Sequence, residues 1–251
     1  MHSINQFISI SFLILFFNIK SISQSVNLGF GPIFTKTNAQ SLIVNTKEDF
    51  SNTSYIFNFT YEHFLPYKRL SIASTYSEYK GCTYMLFELG GYKDPSGIDV
   101  IGTGFCGGTK IHRLDFTMNY NLISMKRRLY LKPSLGLGLQ KTKVFDDVEP
   151  YNTLRPINGP NYFEIEPYTV TRYNTLQLVP LFGIKTGWLF WKRIEIGLGI
   201  QGVLGFKPYQ KMQLKYNYKG IPQPTAEYSA NGTGVLASLS LGYRFAKLIK
   251  D

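Results

Sequence analysis

The 251-residue chain has only two cysteines, three histidines and 16 acidic residues against 27 basic ones. Neither a Cys-x-x-Cys pair nor a Cys/His cluster occurs, so thiol redox chemistry and a zinc site have no sequence basis. After Phe17 no apolar run approaches the ~20 residues that a membrane helix requires. Any insertion into a bilayer must therefore be made by strands. The excess of cations, +11 in formal charge, invites a nucleic-acid partner, but no helix-turn-helix, finger spacing or basic helix carries it. No nucleic acid, metal or cofactor is expected.

Residues 1–23 have the form of a secretory signal. Phe7 to Phe17 make an apolar core, and Ser21-Ile22-Ser23 before Gln24 is a small-x-small cleavage site. The mature domain would then be 24–251, exported to an oxidising compartment where Cys82 and Cys106 are expected to pair. Closing a loop of that size is worth roughly 3 kcal/mol in the chain-entropy account.

What the chain has in abundance is alternation. In 194–201, Ile194, Ile196, Leu198 and Ile200 fall on one side of an extended strand and Glu195, Gly197, Gly199 and Gln201 on the other. Seven further segments repeat the pattern. Val26 to Phe34 form the first, Tyr55 to Glu62 the second and Arg69 to Tyr76 the third. Arg113 to Tyr120, Leu129 to Gln140, Leu176 to Trp188 and Val235 to Phe245 complete the set. Connections are long after segments one, three, five and seven, with loops expected over 37–51, 80–110, 141–173 and 207–232. They are short after two, four and six, and each short turn ends in a basic residue followed by Leu or Ile: Arg69-Leu70, Arg128-Leu129, Arg193-Ile194.

An even number of strands with long loops at one end and short turns at the other is the build of an outer-membrane barrel. A soluble calyx would put its large apolar residues inside. Here the other face is Gly, Ser, Thr, Asn and charge, so the greasy face is assigned to lipid. The fold class expected is all-β: an eight-stranded antiparallel up-and-down transmembrane β-barrel with short periplasmic turns and long outer loops. Because lipid cannot solvate a free strand edge, the sheet must close.

Offsets from the short turns place Glu62, Lys132, Lys185, Glu195 and Arg244 inward at one level, with Arg113 and Asp115 a second group nearer the loops. Desolvated charges must be paired, so a lumenal charge network that plugs the barrel is expected, with a proton or ion path as the alternative. Tyr67, Tyr120, Tyr130, Trp188, Trp191, Tyr243 and Phe245 near the short-turn end are assigned to an interfacial girdle. His63 and His112 fall on the lipid side by parity, which leaves no Ser-His-Asp arrangement and no expected enzyme. The Lys-bearing segment 207–219 and the acidic one with Asp146, Asp147, Glu149, Glu164 and Glu166 are candidate contacts for lipopolysaccharide phosphates and cationic partners.

The signal ending Ser21-Ile22-Ser23-Gln24, the eight segments from Val26 to Phe245, and the closing run Leu239-Ser240-Leu241-Gly242-Tyr243-Arg244-Phe245 resemble the small outer-membrane β-barrel proteins of Gram-negative bacteria, especially Bacteroidetes, including the PorT-like barrels. The resemblance implies an outer-membrane location, contact with lipid and lipopolysaccharide, and recognition of the closing run by the barrel-insertion machinery. In function it implies a closed, porin-like barrel with a structural, binding or assembly role through its outer loops, where a protein partner could dock. The alternatives are a PorT-like accessory of protein secretion or passage of small hydrophobic molecules across the outer membrane.

Overall fold

The computed structural model describes residues 24–40, 52–65, 69–88, 100–123, 128–144, 163–165, 169–191, 193–218 and 220–245. The proposed signal, Tyr67, and the acids from Asp146 to Glu149 lie outside them. Eight long strands make the wall: β1 (Gln24–Gln40), β2 (Asn52–Phe64), β3 (Leu70–Glu88), β4 (Val100–Tyr120), β5 (Leu129–Val144), β6 (Leu176–Phe190), β7 (Ile194–Val203) and β8 (Ala226–Arg244). Each pairs antiparallel with the next, and β8 returns to β1 from Ser25↔Arg244 upward. The ring is closed, so no strand edge is left in the spanning zone.

Side-chain parity divides the wall into two unlike faces. Outward-pointing Leu135 is 71% exposed, while inward-pointing Arg113, Asp115 and Glu195 are 0% exposed. Leu28, Phe30, Phe57, Phe116, Met118, Leu137, Leu178, Phe182, Leu198, Ile200, Leu239 and Leu241 share the outer face with Leu135. Leaving one such side chain in water rather than burying it costs roughly 1.5–3 kcal/mol. A belt of this extent is solvated without that penalty only by hydrocarbon. Along β5 it runs from Leu129 to Leu139. At ~3.3 Å per residue and a strand tilt near 40°, that is a height of about 25 Å, the thickness of the apolar band of a barrel.

The connections differ from expectation at the long-loop end. Within 80–110, expected as a loop, β3 continues to Glu88 and β4 begins at Val100, and the two pair through Glu88↔Val100 with a register shift between Lys80 and Cys82. Likewise β1 runs to Gln40, and β8 starts at Ala226 rather than after Gly232. The supposed loops of 141–173 and 207–232 contain the short strands Thr169–Arg172 and Gln210–Leu214. These pair with each other, and the second also pairs with the top of β8. A small separate sheet joins Phe163–Ile165, Tyr216–Tyr218 and Ile221–Pro222. Above the belt neither face of a strand must be apolar, so the hydrophobic alternation that marks a strand disappears while its backbone ladder continues. The wall therefore projects as paired strands, by roughly 30 Å of strand length on β3 and β4.

Candidate functional site

Among the described residues, polar and charged side chains are held together in isolation from water in the lumen. Near the short-turn end, β2 presents Glu62 and β5 presents Lys132, and the two form an ion pair at 2.9 Å with both side chains almost fully buried. Asn119 on β4 donates to the same carboxylate at 3.3 Å, and the Ser71 hydroxyl on β3 donates to it as well. Across the barrel, Glu195 on β7 takes Lys185 of β6 at 3.0 Å on one oxygen and Arg244 of β8 at 3.3 Å on the other. Lys185 also donates to Asn27 at 3.3 Å. The Phe64 ring lies under both Lys132, 4.9 Å to its centroid, and Arg244, 4.7 Å. Five charged groups from five strands thus form one layer, each carboxylate with more than one donor. That is the condition under which a buried ion pair is tolerated.

Toward the projecting end, Arg113 donates through Nε to Asp115 at 2.7 Å and through Nη2 to Gln201 at 2.8 Å. Between the two layers lies a cavity of about 110 Å³, lined by Asn58, Thr60, Thr75, Ser134, Lys185 and Ser238 among others. It is polar and has room for a few waters. Beyond Arg113 the lining is mixed: Ile33, Ile56, Tyr79, Ile111, Ala230 and Leu236 form an apolar cluster with Tyr209, and Val179, Leu181 and Val203 form a second, with Thr109, Gln140, Thr142, Gln177 and Gln210 also buried. Tyr209 follows β7, ahead of the Gln210–Leu214 strand. It is held by its own N–H on the Ala230 carbonyl at 2.8 Å and by the Tyr173 N–H on its carbonyl at 2.9 Å. The side chain is 0% exposed. Nothing in the alternation of 203–210 marks Tyr209 as a plug, because its position comes from the chain turning inward after Val203.

The structure brings Glu62, Lys132, Lys185, Glu195 and Arg244 into one layer and Arg113 and Asp115 into another. Tyr120, Trp188, Trp191, Tyr243 and Phe245 are outward and exposed at the short-turn end. Two of the basic turn residues reach them: Arg69 donates to the Tyr120 hydroxyl at 3.5 Å and Arg193 to that of Tyr243 at 2.9 Å. Trp191 holds the tight β6–β7 turn with φ at 45°, a left-handed conformation that costs a bulky residue of order 1–2 kcal/mol.

Tyr130 does not belong to the girdle. It follows Leu129 by one residue and so points the opposite way, into the lumen, where it is 4% exposed. Its ring faces Lys132 at 4.7 Å and Lys185 at 5.9 Å. Its hydroxyl occupies the space that Gly187 and Gly197 leave by having no Cβ, and a methyl at either would collide with it. Chain position placed Tyr130 near the interface; parity decides its side.

Cys82 and Cys106 are direct register partners across β3 and β4, not separated points on a loop. Lys211 of the lysine-bearing segment is committed to Glu227 at 2.8 Å, which leaves that segment poorer in available cations than its composition implies.

The chain matches no family model and no curated protein. Several solved structures are similar to it. The outer membrane protein OprG from Pseudomonas aeruginosa covers 90% of this chain and 97% of its own, with 8% identity and a TM-score of 0.47. Neisserial surface protein A covers 89% and 95%, with 13% identity and a TM-score of 0.37. Ail, the attachment invasion locus protein of Yersinia pestis, solved with the heparin analogue sucrose octasulfate, covers 90% and 100%, with 10% identity and a TM-score of 0.40. At these identities the likeness is one of outline, and the barrel rests on this chain's own strand register.

Proposed function

We propose that the protein is a closed, non-conducting outer-membrane barrel whose rigid wall holds a crown of paired strands outside the bilayer as a binding or assembly surface. The observation that carries this reading is the inverted distribution of side chains: Leu135 at 71% exposure opposite Arg113 at 0%. The two charge layers and the apolar cluster around Tyr209 support a filled axis over a pore. Passage of small hydrophobic molecules would need an apolar route, and the charge layer stands across it. A PorT-like accessory role in secretion rests on the resemblance alone.

The same reading includes export through a cleaved signal at Ser23/Gln24, and recognition of Leu239 to Phe245 by the insertion machinery. It also includes a Cys82–Cys106 disulfide, for which the cross-strand register supplies the proximity. It is non-catalytic: His63 and His112 lie on the outer face, and His112 is taken up by the Tyr76 hydroxyl at 2.7 Å.

The test is refolding of the mature chain into lipid vesicles, followed by gel electrophoresis with and without boiling and by planar-bilayer recording. A heat-modifiable band with no steady conductance is expected. A chain that dissolves in buffer without detergent, or steady single-channel steps, refutes it.

A further inference from the structure

The outer face of β3, β4 and β5 changes character within one row of residues. In register across the three strands stand Tyr76, Leu114 and Leu139. The next outward row is Glu78, His112 and Lys141, and the one above it is Lys80, Lys110 and Lys143. Neighbouring strands are ~4.8 Å apart, so the last row sets three ammonium groups abreast on adjacent strands. Like charges directly opposite one another destabilise a sheet. Among the described residues one carboxylate is at hand: Glu78, which pairs with Lys110 and lies 3.5 Å from His112. Among the described residues Lys80, Lys141 and Lys143 take part in no ion pair. The other side of the crown is different, since β8 shows Glu227, Ser229, Asn231 and Thr233 outward, and Lys211 on the strand paired with it is neutralised by Glu227.

We infer that this face is a binding site for the phosphate-bearing headgroup of a lipid in the leaflet on the projecting side. The inference rests on the membrane-barrel reading above. The geometry selects a lipid over a soluble anion because the cationic rows begin immediately above the apolar row Tyr76–Leu114–Leu139. A headgroup whose acyl chains lie along Leu114, Leu137 and Leu139 would deliver its phosphates at the height of Lys141 and then of Lys80, Lys110 and Lys143. An anion bridging the upper row replaces repulsion with charge-assisted hydrogen bonds. The site differs from the lysine-bearing segment 207–219 that composition singles out.

The test uses the refolded mature protein in phosphatidylcholine nanodiscs doped with lipopolysaccharide carrying its two phosphates, or with the same material after phosphatase treatment. Bound glycolipid is read by native mass spectrometry. K80Q/K143Q is compared with K207Q/K215Q, which removes the same charge elsewhere. At about 1 kcal/mol per lysine near a lipid surface, the first pair should weaken binding of the phosphorylated form roughly 30-fold and the second pair little. In phosphatidylcholine alone, K80Q/K143Q should unfold at the same or higher urea concentration than the parent, because repulsion is relieved without loss of a ligand. Equal weakening by both pairs, no preference for the phosphorylated lipid, or equal binding of free inorganic phosphate by protein without lipid would each overturn the site. Failure of the parent to give a heat-modifiable band would instead overturn the barrel reading beneath it.

Discussion

Removing the Glu62 charge is the sharpest perturbation of the lumen. Its carboxylate is 2.9 Å from the Lys132 ammonium, and both side chains are nearly inaccessible. At an effective dielectric of about 20 the attraction over that distance is ~6 kcal/mol, set against a desolvation penalty of several kcal/mol per ion. The net value of the pair is therefore small, but the cost of breaking it is not. Glu62→Gln keeps the shape and can still accept from Ser71 and Asn119 while leaving Lys132 buried against Phe64 and Tyr130 without its counter-charge. The expected loss is about 3–5 kcal/mol. Lys132→Met should cost a similar amount by stranding Glu62. The double variant should recover most of either loss, since its methionine packs on the same two rings and no unpaired charge remains. Urea unfolding in vesicles, followed by the fluorescence of Trp188 and Trp191, measures all four corners of the cycle. A Glu62→Gln loss under about 0.5 kcal/mol, the size of one weak surface pair, or additive single variants, would refute a sealed charge layer.

Three other perturbations address the wall, the glycine nests and the plug. Leu137→Arg, at mid-belt on β5, should lower unfolding stability by about 2–4 kcal/mol in vesicles, measured by the same urea titration. Gly197→Ala should destabilise by more than the ~1 kcal/mol typical of a point change, because the new methyl meets the Tyr130 hydroxyl, Lys185 and Ser240; adding Tyr130→Phe should restore part of the loss. Tyr209→Ala should cost about 3–5 kcal/mol and weaken the apolar seal, with brief conductance events appearing in planar bilayers where the parent shows none.

Much of the barrel could be read from the residues because hydrocarbon imposes period two. Every segment from Val26 to Phe245 with an oily face proved to be wall, and inward parity correctly gathers Glu62, Lys132, Lys185, Glu195 and Arg244. The same argument fails once the bilayer no longer constrains the outer face. Lys80 to Lys110 reads as a glycine-rich loop, yet Cys82 to Glu88 and Val100 to Cys106 are paired strands. Tyr130 shows a different failure: nearness to a turn suggests the interface, but its place between Leu129 and Leu131 turns it into the lumen. Tyr209 is set by a chain reversal after Val203 that no periodicity encodes, and the lysine row joins Lys80, Lys110 and Lys143 from three strands that are distant in sequence.

Nitroxide scanning of β5 in lipid vesicles, one label at a time from Leu135 to Gln140 in a chain whose cysteines are replaced by serine, tests the inside-out wall most directly. Labels at 135, 137 and 139 should be relaxed strongly by oxygen and weakly by a water-soluble nickel complex, as in hydrocarbon. Labels at 136, 138 and 140 should be shielded from oxygen in the packed lumen. The opposite alternation, or six positions equally open to the nickel complex, would contradict the account.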